Sequence, residues 1–437
     1  MEYRSKVITL EKALGLVKSG DMIVTGLGAT EGKTFLSALH TIANRVSDVT
    51  VTNCLPMADY EFAHGEYKDS FWVDSWFYSP DQRRMHKNGN IAFIPNHLHF
   101  AATKRLAFRR PNIYVGLASM PDRHGYVSLP LSNTYEKRML EAADIVILEL
   151  NPNAPRTFGD NEVHVSDVDY FLETDYAIPE IPDAEPTEKD LVIGRHIAEL
   201  VNDGDCVQLG IGGIPNAVAA SLFGKKDLGI HTEMITTGMM KLAKAGVITG
   251  KCKQQDKGKM VAAFAMGTRE LYDFMDDNPT VIIRDGTLVN DPYVISKNDN
   301  QVSINTTVEV DVTGQCASES IGSKQISGTG GQSDTAIGAQ LSRNGRSIIA
   351  LYSTAMVKNP ATGEKEEVSK IVCQLKPGAA VSLSRNDLDY LVTEYGTVNL
   401  KGTSIRERVE RIISVAHPKF RESLRDEAAE LGILPRK

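Results

Sequence analysis

One pattern occurs twice in this chain and limits what it can fold into. Gly20, Asp21, Gly26 and Gly28 recur as Gly204, Asp205, Gly210 and Gly212 at one constant offset. In each place a short apolar run, Met22–Thr25 or Cys206–Leu209, leads into a glycine turn. A helical segment and a second apolar run follow. Strand, turn, helix, strand is the building unit of a parallel sheet, which needs helices on its faces. Two copies predict two similar α/β halves. Laying the second strands, 49–54 and 228–235, over one another sets Asn53 near Glu233. Only the second copy then carries an acid there.

The second copy, residues 203–238, holds the chemistry. Gly210-Ile211-Gly212-Gly213 makes its turn, and Pro215 suits a first helical turn. Gly224, Lys225 and Lys226 close the helix. Ligands bind beyond the C-terminal ends of parallel strands. A glycine turn at a helix N-terminus offers N–H groups to an anion or a developing oxyanion. An acid facing such a turn is a candidate covalent nucleophile. By spacing alone, an exposed acid beside an ordinary turn is the commoner outcome, and it stays open.

Composition excludes several classes. A chain of 437 residues divides into two or three domains, each able to bury a core. The net charge of −8, without a basic tail, argues against nucleic acid as a partner. Cys54, Cys206, Cys252, Cys316 and Cys373 stand singly, so neither a disulfide framework nor a zinc site is indicated. His97 and His99 could share a metal, but no third ligand stands nearby, and loop histidines are the simpler account. No apolar stretch reaches membrane-span length, and the first residues lack a signal-type apolar core. A soluble cytoplasmic protein is the expectation.

The remaining elements follow from pattern. Helices are expected over 5–17 and 32–43, and a packed strand over 70–78 with both tryptophans, Trp72 and Trp76. A proline-rich acidic linker over 173–188 separates an N-terminal domain, 1–180, from a C-terminal domain, 186–437. Residues 302–312 read as one strand. The segment 327–334, SGTGGQSD, reads as a flexible ligand-contacting loop, with a plain connection as the alternative. A last helix over 404–415 places Arg406, Arg408 and Arg411 on its exposed side.

Taken in order, PDRHGYVS (121–128), GIGGIPNAV (210–218), GIHTEM (229–234), SGTGGQSD (327–334) and EYGTVNLKGTSIRER (394–408) resemble the acetyl-CoA hydrolase/transferase family. They are most similar to its branch of 4-hydroxybutyrate and butyryl-CoA:acetate CoA-transferases. The resemblance implies a class I CoA-transferase. Its fold would be two related open α/β domains of NagB/RpiA-like type, each a largely parallel sheet flanked by helices. It also implies a ping-pong reaction through an enzyme-bound thioester, with Glu233 as nucleophile. Coenzyme A and acyl-CoA enter as substrates, with short carboxylic acids, and no cofactor is permanently bound. A homodimer or a dimer of dimers is implied. CoA contacts are implied at Gly210, Ile211, Gly212, Gly213 and Ile214, and at Gly330 and Gly331 of the second loop, with Asn305 and Gln325 as further contacts. Tyr395 and Gly396 would face the acyl group, or simply form the turn that opens the last helix.

This chemistry needs no proton transfer, so the lack of a His or Cys dyad is no objection. It needs donors for a tetrahedral oxyanion, for which the backbone at Gly212, Gly213 and Gly331 is the expected supply. Three other readings differ in what they require of these residues. A dinucleotide site requires glycine where Pro215 stands. An acyl-CoA hydrolase differs only in admitting water to the same intermediate. A non-catalytic CoA-binding subunit would have no use for Glu233.

Overall fold

A computed structural model describes residues 2–359 and 362–435. The first half forms a seven-stranded sheet in which every pair is parallel. Its spatial order is Tyr170–Glu173, Ile145–Leu150, Ile113–Ala118, Met22–Thr25, Val49–Asn53, Phe71–Ser75, Ile91–Phe93. The chain starts at Met22–Thr25, steps to one edge, then returns to Ile113–Ala118 and steps to the other. The second half repeats this path from Cys206–Leu209. It steps through Gly229–Ile235, Met260–Ala265 and Val281–Ile283, then returns to Gln301–Thr306, Arg346–Ala350 and Tyr390–Thr393. The hairpin formed with Gly396–Asn399 is the antiparallel edge of this sheet. Each sheet therefore has one point where the winding reverses, and crevices open there beyond the strand ends.

Burial explains the strand sequences. Ile113–Ala118 and Met260–Ala265 are buried at every position. That is why they read as unbroken apolar runs and do not alternate. One apolar cluster joins the halves: Met22, Val24 and Leu27 share it with Met234, Phe264 and Met266.

Several expectations are corrected. Residues 5–17 are not one helix. Ile8 N–H bonds to Phe171 O at the sheet edge (2.9 Å), and a new helix, Leu10–Gly15, starts from its Thr9 cap. Residues 32–43 divide into the helix Lys33–Ala38 and the tighter turn Leu39–Ile42. Trp76 is buried but Trp72 is 43% exposed, because the strand ends at Ser75 and alternates its faces. Residues 302–312 form two strands, Gln301–Thr306 and Glu309–Asp311. Arg408 is buried, since its guanidinium donates to the carbonyls of Leu400 (3.0 Å), Thr313 (3.3 Å) and Arg385. The strand Phe158–Gly159, from the first half, pairs with Val281–Ile283 at the edge of the second sheet.

No helix among the described residues is long and apolar enough to cross a membrane.

One buried carboxyl makes stability depend on pH. Glu31 Oε2 accepts Tyr60 O–H (2.9 Å) and Met57 N–H (3.2 Å), while Oε1 has no partner. Burial pushes its pKa from 4.5 up to about 8, against the pull of those two donors and of Lys33. Folding thus favours the protonated form. That contribution is complete below about pH 4.5 and is lost as pH rises through about 8. Glu31→Gln, which cannot ionise, should match the wild-type Tm at about pH 4 and exceed it at about pH 9. Equal Tm differences at both values would show that Glu31 does not take up a proton on folding.

Candidate active site

The reversal point of the second sheet faces the strand ends of the first across one cavity of about 330 Å³. From the second half it is lined by Gln208, Leu209, Gly210 and Ile211 after one strand, and by Ile304, Asn305 and Thr306 after its neighbour. From the first half come Leu27, Cys54, Leu55, Phe77 and Leu98, each just beyond the C-terminal end of a strand. Residues 327–332 complete the wall.

Glu233, the fifth residue of Gly229–Ile235, opens half-buried onto this cavity. Its strand leaves Cys206–Leu209 after Val207↔Ile230 but stays paired with Met260–Ala265. The acid therefore stands where the sheet splays. Its Oε2 accepts Asn290 Nδ2–H at 2.9 Å, and the Gly331 N–H also donates to the carboxylate. Asn290 follows the short helix Gly286–Val289. His231 fixes that helix by donating from Nε2 to Val289 O at 2.9 Å. Burial of His231 pushes its pKa down to about 4, so the ring is neutral near pH 7.

Gly331 caps the helix Gln332–Leu341 and has no room for a side chain. A Cβ there would overlap Glu233 Oε2 and Asn290 Nδ2. Gly328 is likewise pressed on the Trp76 carbonyl, and Arg83 Nη1 donates to Ile326 O at 2.9 Å. The glycine loop is thus held down by the first half.

No lysine, arginine or histidine is among the described residues lining the cavity. Burial raises the Glu233 pKa from 4.5 to about 7, and the charge of Asp334 adds to this. The Asn290 and Gly331 donors hold it back. Such a carboxylate is more basic than usual, yet half ionised near neutrality, as suits a nucleophile at that pH.

The remaining predicted contacts divide between the cavity and elsewhere. Gly210, Ile211, Asn305, Gly330 and Gly331 line the cavity with Glu233; Gly212, Gly213, Ile214, Gln325, Tyr395 and Gly396 do not. Gly212, at φ +115°, caps the helix Gly213–Ser221 on an exposed surface. Gly213 must be glycine because a Cβ would stand 2.6 Å from Asp190 Oδ2. Asn305 joins a network with Ser303 Oγ (3.0 Å) and Thr335 Oγ1 (3.0 Å). Gln325 Nε2 donates to Ser327 O at 3.1 Å, inside the loop. Tyr395 packs edge-on to His417, 5.2 Å between ring centres, with Arg421 over its ring.

In the first half, Cys54 takes the place that Glu233 takes in the second. Thr50 lies opposite Met22 as Gly229 lies opposite Cys206, so register puts Cys54, not Asn53, at the equivalent position. One residue reverses the face. Cys54 lines the cavity, while Asn53 Oδ1 accepts Gln82 Nε2–H at 2.9 Å. The first glycine turn is filled by the chain itself. Glu136 accepts Leu27 N–H (2.9 Å), and Glu149 accepts the N–H groups of Thr34 (3.1 Å) and Phe35 (2.8 Å).

Comparison with known proteins gives the family. Residues 1–182 match the acetyl-CoA hydrolase/transferase N-terminal domain, and residues 267–428 match the C-terminal domain of that name. The chain belongs to the acetyl-CoA hydrolase/transferase family. It is 41% identical to the 4-hydroxybutyrate coenzyme A transferase of Clostridium kluyveri over 97% of each chain. It is 39% identical to the succinyl-CoA:cyclohexane-1-carboxylate CoA transferase of Geobacter metallireducens, over 99% of this chain and 97% of that one. Among solved structures, RipA from Yersinia pestis superposes with a TM-score of 0.90 at 35% identity, covering 99% of both chains.

Two outcomes follow from the site. Gly331→Ala should cut kcat/KM by about 10²-fold or more by displacing the carboxylate, with the fold retained by circular dichroism; wild-type kinetics would place the acid elsewhere. The acid limb of kcat/KM should lie at about pH 7, activity falling below it as Glu233 takes its proton. Asn290→Ala removes a donor to the ionised form and should move that limb higher; an unmoved limb would assign it to another group.

Proposed function

We propose that Glu233 carries coenzyme A between short carboxylic acids in a ping-pong cycle. The protein is a CoA-transferase, as are relatives that match it nearly end to end. One observation carries the mechanism. A basic carboxylate, held only by neutral N–H donors, faces a cavity at the strand ends of both sheets.

Glu233 Oε attacks the thioester carbonyl carbon of the donor acyl-CoA. The C–S bond breaks, leaving an acyl-glutamyl anhydride and CoA thiolate. The thiolate then attacks Glu233 Cδ and the anhydride C–O bond breaks, releasing the donor acid and forming a glutamyl-CoA thioester. An acceptor carboxylate reverses these steps. One negative charge passes from Glu233 to the carbonyl oxygen, to sulfur and out with the donor carboxylate; the acceptor carboxylate brings it back. A donor to the oxyanion formed on the attacked carbonyl is worth roughly 3–4 kcal/mol in the transition state, and the glycine-rich backbone beside the acid is the supply we propose.

Donor and acceptor are drawn from 4-hydroxybutyrate, butyrate, propionate and acetate. CoA is bound by the turn 210–214 and the loop 327–332, with Asn305 and Gln325 as further contacts, and Tyr395 and Gly396 lie toward the acyl group. We divide the chain into domains at 1–180 and 186–437. The assembly is a homodimer or dimer of dimers, and the location is the cytoplasm. The resemblance to the family supports these details. The hydrolase reading has no observation of its own in its favour.

The test is intact mass after incubation with butyryl-CoA or acetyl-CoA without acceptor, then borohydride. The expected result is a CoA-sized adduct that borohydride removes, reducing Glu233 to the alcohol. Glu233→Ala should form none, and Glu233→Asp should lose most of the rate because one methylene displaces the nucleophile. No adduct with any short acyl-CoA, despite CoA binding, would favour the hydrolase.

A further inference from the structure

The amide and hydroxyl side chains that line the cavity beside Glu233 all come from the second half, among them Gln208, Asn305, Thr306 and Gln332. Among the described residues, the first half contributes only Leu27, Cys54, Leu55, Phe77 and Leu98. Leu55 differs from the rest of this wall in its backbone, which is left-handed at φ +51°. The other six non-glycine residues of that kind among the described residues are all Asp or Asn, the side chains that tolerate it. In a continuing strand the residue after Cys54 would face the opposite side. The turn at Leu55 instead sets two consecutive residues on the cavity.

The surroundings hold this strained turn in place. Leu55 N–H donates to Phe77 O at 2.8 Å, and Cys54 O accepts Gly28 N–H at 3.1 Å. Leu55 and Phe77 are half-buried and pack on the apolar cluster that includes Leu27, Cys54, Met234 and Phe264. Leu98 is fixed through its neighbour, because buried Asp334 accepts His99 Nδ1–H on Oδ1 (2.8 Å) and the His99 backbone N–H on Oδ2 (3.2 Å). The wall also comes close to the acid. A carbon placed as a Cβ on Gly330 would stand 3.7 Å from Glu233 Oε1 and 3.6 Å from Phe77 Cε2, so one carbon there touches both.

We propose that Leu55 is a specificity-determining residue: the acyl chain lies along the first-half wall, where Leu55 limits its length and refuses a charged tail. The inference rests on the proposed reaction at Glu233, and needs only that the acyl carbon be placed there. The amides of the CoA arm need partners, which the second half offers; the methylenes of a short acid need none and gain by leaving water. A second carboxylate on the tail would lose its water and find no lysine, arginine or histidine among the described residues lining the cavity. A neutral hydroxyl costs far less to bury. The substrate class is therefore short straight-chain monocarboxylates with an uncharged tail.

The test reads consumption of acyl-CoA donors, whether by transfer or by hydrolysis. Wild type should prefer butyryl-CoA to succinyl-CoA by at least about 10²-fold in kcat/KM. Leu55→Ala shortens the wall and should raise the ratio of kcat/KM for hexanoyl-CoA to that for acetyl-CoA by about tenfold or more. Leu55→Asn suits the left-handed backbone and puts an amide on the wall. It should raise the ratio of 4-hydroxybutyryl-CoA to butyryl-CoA by about tenfold, and it decides the matter if the alanine variant does not fold. A residue that only supports the fold would lower every donor alike and leave both ratios where they were. Unmoved ratios in a folded variant, or succinyl-CoA used as well as butyryl-CoA, would overturn the proposal. Moved ratios in a protein that forms no glutamyl-CoA thioester would leave Leu55 assigned and remove the ping-pong mechanism instead.

Discussion

A carboxylate buried without a cation is the constraint on which the rest of the site depends. Burying an unpaired charge is costly, and the usual remedy is a lysine or arginine beside it. Here a cation would compete with the chemistry by holding the charge on Glu233. The structure supplies N–H groups instead, from Asn290 and Gly331. Much follows from that choice. Gly331 must lack a side chain, because its backbone approaches the acid so closely. The loop that carries it has little stiffness of its own, so the first half holds it through Trp76, Arg83 and His99. His231, two residues before the acid, is spent on fixing the helix that presents Asn290.

The duplicated halves resolve the same local geometry in opposite ways. Both end a central strand in a glycine turn that leads into a helix. In the first half two buried carboxyls take up backbone N–H groups there: Glu136 that of Leu27, and Glu149 those of Thr34 and Phe35 at the start of the helix. In the second the turn stays open, beside the acid. Cys54, at the position equivalent to Glu233, has become part of the apolar wall.

What the sequence made legible was local. The strands, both glycine turns and the acid of GIHTEM follow from short patterns, and the parallel topology follows from their order. The partners of the acid do not. Asn290 is one asparagine in a turn with no repeat or motif to mark it. His99 and Asp334 are far apart in sequence and meet only when the halves pack. Glycine spacing fixes a strand only to within a residue, so it sets Asn53 where Cys54 belongs, and one residue changes its face. Arg408 read as surface because charge spacing does not reveal free carbonyls, and three of them draw it inside. The exposed Trp72 shows the converse, a bulky residue left outward by strand alternation.

The two-residue strand Phe158–Gly159 has a consequence for how this enzyme could ever be divided. It crosses from the first half to cover the outer edge of the second sheet at Val281–Ile283. A gene cut in the linker would release a C-terminal fragment with that edge bare, an invitation to pair with another copy.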